Sequence, residues 1–126
     1  MKKSICLVLL LFSVAFCYGQ ARQTYKGTIN KTLSIEMEIV MSPQGDGTMY
    51  ISGGYFYTKN PNGGSLNIEG TYKSENDEVN MTEKNDKGVI TGYFKGKYVG
   101  DGTVIVGKWL SADKKKSYDF ELKFVQ

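Results

Sequence analysis

The chain has 126 residues, with 16 basic and 13 acidic side chains and no histidine. Its length fits one domain. The lack of histidine excludes a Ser-His-Asp triad, a histidine-ligated metal site and a histidine pH switch. The two cysteines, Cys6 and Cys17, both lie near the N-terminus, so the rest of the chain has no thiol for catalysis or metal binding. We therefore expect no catalytic residue, no metal site, no cofactor and no enzyme activity.

Residues 1–19 have the pattern of a cleaved signal peptide. Met1-Lys2-Lys3 is positively charged, residues 5–17 form an apolar core of secretory length, and small residues offer cleavage after residue 19 or 21. The apolar run is too short for a transmembrane segment. In an alternative reading, Cys17 is the lipidated residue of a lipoprotein cleavage box. We expect an exported protein, periplasmic or secreted, in which residues 20–126 form a single domain.

The charge of the exported part is nearly balanced. Removing Lys2 and Lys3 from the 16 basic residues leaves 14 against 13 acidic ones, a net charge of +1. A balance of this kind indicates no steering toward nucleic acid or acidic lipid. Because no cysteine remains after cleavage, packing and sheet hydrogen bonds must hold the domain without a disulfide.

Alternation of apolar and polar residues predicts strands along the whole exported part, separated by short turns rich in Gly, Asn and Asp. Short connections make consecutive strands antiparallel neighbours. One consistently apolar face predicts an eight-stranded antiparallel up-and-down β-barrel, since closure removes exposed edges; a two-sheet β-sandwich is the alternative. The predicted strands are residues 23–30, 32–42, 48–58, 65–73, 78–84, 89–99, 103–111 and 117–125.

A glycine two residues before an aromatic ring recurs on the inward face of these strands. Glycine lets a strand coil tightly, and a neighbouring ring can cover the gap, which favours a small barrel. Paired glycines can instead mark a bulge. At Gly53-Gly54, a bulge would turn Tyr55 and Tyr57 outward and bring Phe56 inward. The five instances are Gly53/Tyr55, Gly70/Tyr72, Gly92/Phe94, Gly96/Tyr98 and Gly107/Trp109.

The up-and-down order gathers one inward charge, Glu83, with several rings at one end of the barrel. Ile90 is expected to face inward at the same end. An apolar, aromatic pocket with one polar group is typical of a small-ligand site. Alternatively, tyrosine hydroxyls or a lysine satisfy the carboxylate and close that end. The predicted ligand-binding residues are Tyr55, Tyr57, Glu83, Trp109 and Tyr118.

The seventh strand is also apolar on its outward face, through Val104, Val106 and Leu110. An exposed apolar face of this kind is a candidate contact patch for a protein partner or a second copy of the chain. The alternative is that residues 20–24 lie over it.

Several stretches resemble small exported bacterial β-barrel proteins, most of which have no assigned function: Tyr25-Lys-Gly-Thr-Ile, Gly53-Gly-Tyr-Phe-Tyr, Leu66-Asn-Ile-Glu-Gly and Gly107-Lys-Trp. In size and strand count the chain is also similar to lipocalin-like and avidin-like barrels. Trp109 is its one tryptophan, so biotin binding is not implied. We expect a non-catalytic binding module for a small or extended apolar ligand. The alternative is a protein-binding module of the cell envelope, either an enzyme inhibitor or a self-associating barrel.

Overall fold

The computed structural model describes residues 21–125, so the signal-peptide prediction and Cys17 lie outside the described residues. Within the described part, no helix is long and apolar enough to cross a membrane. The chain forms eight strands and one 3-10 turn, Pro61–Gly63. The strands are β1 (Ala21–Ile29), β2 (Leu33–Pro43), β3 (Thr48–Tyr57), β4 (Leu66–Lys73), β5 (Glu78–Lys84), β6 (Ile90–Val99), β7 (Val104–Ser111) and β8 (Ser117–Phe124).

The strands close into a barrel in chain order. Each strand pairs antiparallel with the next, and β1 returns to β8 in a register that runs from Tyr25 opposite Phe124 to Ile29 opposite Phe120. The predicted up-and-down barrel is therefore confirmed, and the β-sandwich alternative is wrong. Closure pairs the two strands that would otherwise be sheet edges.

Local turn chemistry fixes the first hairpin. Asn30, Lys31 and Thr32 form its three-residue connection, and the first two have positive φ, 57° and 63°. Three-residue loops with a left-handed residue are among the common connections of β-hairpins. The pairing of Ile29 with Leu33 places the inward faces of β1 and β2 in register from the turn onward.

Apolar side chains fill the middle of the barrel. Strand alternation brings them inward from strands all around the wall, and those at the centre have no exposed surface. An eight-stranded barrel has an interior that side chains can fill completely. The residues with 0% exposure are Met37, Ile39, Ile51, Val79, Phe94, Ile105 and Leu122.

The glycine pair in β3 does not make a bulge. Ile39 lies opposite Gly53 and Met37 lies opposite Tyr55, with no break in register. A Cβ atom on Gly53 would lie 2.0 Å from the carbonyl oxygen of Glu38, so the close approach of β2 requires glycine there. Tyr55 consequently points inward and is 1% exposed.

A bulge occurs instead at the start of β6. Glu83 lies opposite Gly92, but the next residue, Lys84, lies opposite Ile90, so Thr91 is an extra residue in the ladder. The predicted inward position of Ile90 is wrong for this reason. The bulge interrupts the alternation, and Ile90 is 40% exposed.

Candidate functional site

The centre of the candidate site is the buried carboxylate of Glu83 on β5, which is 2% exposed. Its Oε2 atom accepts a hydrogen bond from the Tyr55 hydroxyl. The same atom accepts a second one from the indole N–H of Trp109, at 3.1 Å. The Thr91 hydroxyl donates to Oε1 at 2.8 Å. These three bonds use most of the roughly four acceptor positions of a carboxylate. Neutral donors from three strands therefore satisfy the buried acid.

Two further rings extend this cluster toward solvent. The ring of Tyr57 meets that of Tyr55 edge-on, with centroids 5.7 Å apart. The ring of Tyr118 stacks on Trp109, with centroids 5.9 Å apart and planes at 11°. Tyr57, Trp109 and Tyr118 are half-buried. The structure thus brings all five predicted site residues into one connected cluster, while their role in ligand binding stays a prediction.

Gly92 explains how Trp109 reaches Glu83. A Cβ atom at Gly92 would lie 2.7 Å from the indole ring, so the ring occupies the space that any other residue would fill. Phe94, two residues further along β6, lies directly opposite Trp109 on β7. The ring that covers this glycine therefore comes from the adjacent strand, as expected for a glycine in a strongly curved sheet.

Thr91 is the member of the site that sequence reasoning missed. Strict alternation places Thr91 on the outward face, next to the inward Gly92. The bulge at the start of β6 turns the Thr91 hydroxyl to the carboxylate of Glu83, and bulges commonly redirect side chains in this way. Nothing in the local sequence marks the bulge, because it depends on pairing with β5.

Electrostatics keep the Tyr55 hydroxyl in its protonated, hydrogen-bonding form. Burial, and then the adjacent Glu83 carboxylate, raise the pKa of the Tyr55 hydroxyl above its ordinary value. The hydroxyl therefore keeps its proton and remains a donor at neutral pH. Among residues 21–125, no group of three or more acidic, cysteine or histidine side chains is placed to hold a metal ion.

A cavity of about 270 Å³ opens at the same end of the barrel. We call this end the mouth; its connections are residues 30–32, 58–65, 85–89 and 112–116. Tyr57 lines the cavity and also contacts Tyr55, so the cavity lies one ring away from the Glu83 network. Its lining residues are Thr32, Leu33, Ser34, Tyr57, Lys59 and Asn60.

The opposite end contains a cluster of hydroxyl groups. The Tyr25 hydroxyl lies 2.5 Å from both the Gln23 side-chain oxygen and the Tyr98 hydroxyl. The ring of Tyr72 packs edge-on against that of Tyr98. The Tyr72 hydroxyl donates a hydrogen bond to the Asp77 carboxylate at 2.8 Å. Burial raises the pKa values of Tyr25 and Tyr98. Inward rings at this end are thus tied to one another and to the adjacent turn.

The outward face of β7 carries the predicted contact patch. Val104, Val106 and Leu110 are half-buried. Val106 lines two surface grooves, of about 430 and 520 Å³. The suggestion that the N-terminal segment covers this face is wrong for residues 22–24, because they belong to β1 in the barrel wall, beyond β8. The use of this face by a partner stays a prediction.

Comparison with known proteins identifies the fold but no family. No protein-family model matches the chain, and no curated protein matches it. One solved structure that it resembles is described as "De novo design of a fluorescence-activating beta barrel". The two chains share 12% sequence identity at a TM-score of 0.54, over 82% of this chain and 90% of the designed chain. At this identity the likeness extends to the barrel fold alone.

Proposed function

We propose that this protein is an exported, non-catalytic binding module for a small or extended apolar ligand, which it holds at the mouth of the barrel. Export is supported by the signal-peptide pattern of residues 1–19, and the absence of catalysis by the lack of histidine and of a thiol in the exported part. The designed barrel with the same fold is described as fluorescence-activating. The proposal depends instead on the cavity and the side chains at the mouth of this barrel.

One observation carries the proposal: the ring of Tyr57 lines the cavity at the mouth and also packs against Tyr55, which is hydrogen-bonded to Glu83. Tyr57 lines the cavity and touches Tyr55, and Leu33 beside it is 46% exposed. An apolar surface with a few fixed polar groups is the usual design of a small-ligand site. Because the centre of the barrel is filled, the ligand lies over Tyr57 and Leu33 rather than deep inside.

In this arrangement Glu83 acts mainly through its neighbours. It holds the hydroxyl of Tyr55 and the indole of Trp109 in fixed positions, and Tyr57 and Tyr118 pack on those two rings. Rings that are already fixed lose little conformational entropy when a ligand packs against them. Direct contact between the ligand and Glu83 requires Trp109 or Tyr55 to move.

A titration with N-phenylnaphthylamine, a neutral apolar fluorophore, tests this function. We expect saturable binding, accompanied by a change in Trp109 emission. Leu33→Gln should weaken binding about fivefold or more, since it removes apolar contact area. Phe124→Gln is the matched control, because Phe124 is 43% exposed at the opposite end. Equal losses in both variants, or no saturable binding, would overturn the proposal.

A second candidate is a protein-binding module of the cell envelope that uses the outward face of β7. It is favoured by Val106, which lines two surface grooves on that face. Val106→Lys should then change the solution mass of the protein or abolish recovery of one defined envelope partner. Val125→Lys, at an exposed site near the C-terminus, should leave both unchanged. If the two variants behave alike, this candidate fails.

A further inference from the structure

The two ends of the barrel carry opposite charge. The four connections at the mouth contain six lysines and two aspartates, a formal charge of +4. The three connections at the opposite end, residues 44–47, 74–77 and 100–103, contain four acidic residues and no basic one, a charge of −4. The mouth lysines are Lys31, Lys59, Lys87, Lys114, Lys115 and Lys116, and the opposing acids are Asp46, Glu75, Asp77 and Asp101.

These lysines are available to a partner outside the chain. The four ion pairs among the described residues use other cations, namely Arg22, Lys26, Lys84 and Lys108. The ammonium of Lys114 lies 5.1 Å from the ring centroid of Tyr93, and all six mouth lysines are exposed. A ring of exposed, unpaired ammonium groups around one end of a molecule attracts anionic surfaces.

Apolar side chains project from the same rim. Val89 is 56% exposed and Ile90 is 40% exposed where β6 begins, and Leu33, 46% exposed, begins β2 on the opposite side of the mouth. The bulge at Thr91 contributes directly, because it turns Ile90 out of the barrel interior. Aliphatic tips that enter the bilayer interface, with lysines around them at the headgroups, are the usual combination in proteins that adsorb to membranes.

We propose that the mouth docks end-on to an anionic lipid surface. The mouth lysines contact lipid headgroups, and Val89, Ile90 and Leu33 enter the interface. The opposite rim also exposes Phe124 and Val125, but its acidic turns are repelled by such a surface, so charge selects the mouth. This inference does not depend on the proposed ligand. If both hold, the membrane that the mouth contacts is also a source of apolar ligands.

Vesicle flotation tests this docking. The purified protein is mixed with vesicles of phosphatidylcholine alone or with added phosphatidylglycerol, at low and high salt. We expect binding to the anionic vesicles that falls steeply with salt, and little binding to the neutral ones. Lys115→Glu/Lys116→Glu should reduce binding about tenfold or more.

Two matched variants separate docking from simple charge attraction. Lys95→Glu/Lys97→Glu changes the net charge equally, but on the outer wall of β6, and should reduce binding much less. Val89→Ser should weaken binding several-fold, whereas Val125→Ser at the opposite rim should not. Equal effects of the two lysine pairs, binding to soluble polyanions but not to vesicles, or self-association through the mouth in the solution mass would overturn the proposal.

Discussion

Two hydrogen bonds from tyrosine to glutamate show how burial changes the contribution of such a bond to stability. Both donors lie on β3. Tyr55 donates to Glu83 inside the barrel, and Tyr50 donates to Glu69 at 3.1 Å on its surface. At the surface, water replaces a lost partner at little cost. Inside, a carboxylate that loses a donor stays buried without compensation.

Replacing each tyrosine by phenylalanine separates the two cases. We expect Tyr55→Phe to lower the free energy of unfolding by about 1.5–3 kcal/mol, the usual range for a hydrogen bond to a charged group. Tyr50→Phe should cost about 0.5 kcal/mol or less. Urea denaturation of both variants measures the difference. If the two losses are equal, Glu83 does not depend on Tyr55 in the folded protein.

Most of this cluster follows from the sequence, because alternation and short turns place Glu83, Tyr55 and Trp109 inward at one end. Thr91 and Ile90 do not follow, since both depend on one extra residue in the ladder with β5. A bulge arises from the twist and pairing of two strands, and one strand's own sequence does not encode it. The sequence also left open whether donors from the protein satisfy Glu83, which the structure settles with three of them.

At the scale of the strand, glycine sets how closely neighbours approach. A Cβ atom on Gly53 would lie 2.0 Å from the backbone oxygen of Glu38, which cannot move without breaking the β2–β3 ladder. We therefore expect Gly53→Ala to lower the free energy of unfolding by about 1–3 kcal/mol or more. Thermal and urea unfolding give the value.

Gly63→Ala is the control for Gly53→Ala. Gly63 lies in the 3-10 turn between β3 and β4, where an added Cβ would meet the side-chain nitrogen of Asn60 at 2.7 Å. The end of an exposed side chain can rotate away, so this variant should stay near the stability of the parent protein. A large loss in Gly63→Ala, or none in Gly53→Ala, would contradict the role given to strand approach. The sequence revealed where glycines recur, but not which of them face a neighbouring backbone.

At the scale of the whole molecule, the topology of the barrel separates positive and negative charges that nearly cancel along the sequence. Residues 20–126 have a net charge of +1, from which we expected no steering toward acidic lipid. Summing charges along a chain loses their positions. The up-and-down order places alternate turns at opposite ends, and so it separates the lysine-rich turns from the acidic ones. Net charge alone is a poor guide to the surfaces of such a barrel.

Alkaline pH should destabilise the whole barrel through three phenols, of which two are buried and one is half-buried. Burial is the largest cause that raises the pKa values of Tyr25, Tyr55 and Tyr98 above their ordinary value of 10.0. The folded state therefore keeps these protons at a pH where the unfolded chain releases them. Their contribution to stability is fully present below pH 10 and is lost progressively as the pH rises above it.

Each of these groups contributes a slope of about 1.4 kcal/mol per pH unit, but only between its unfolded pKa and its folded pKa. Urea unfolding over a series of alkaline pH values measures the slope, and tyrosinate absorbance reports when the phenols ionise. We expect these phenols to ionise with unfolding rather than before it. Tyr55→Phe should make the loss of stability with pH shallower, because the contribution of one phenol is removed. An unchanged slope in that variant would mean that Tyr55 ionises in the folded barrel at the same pH as in the unfolded chain, so that burial beside Glu83 does not raise its pKa.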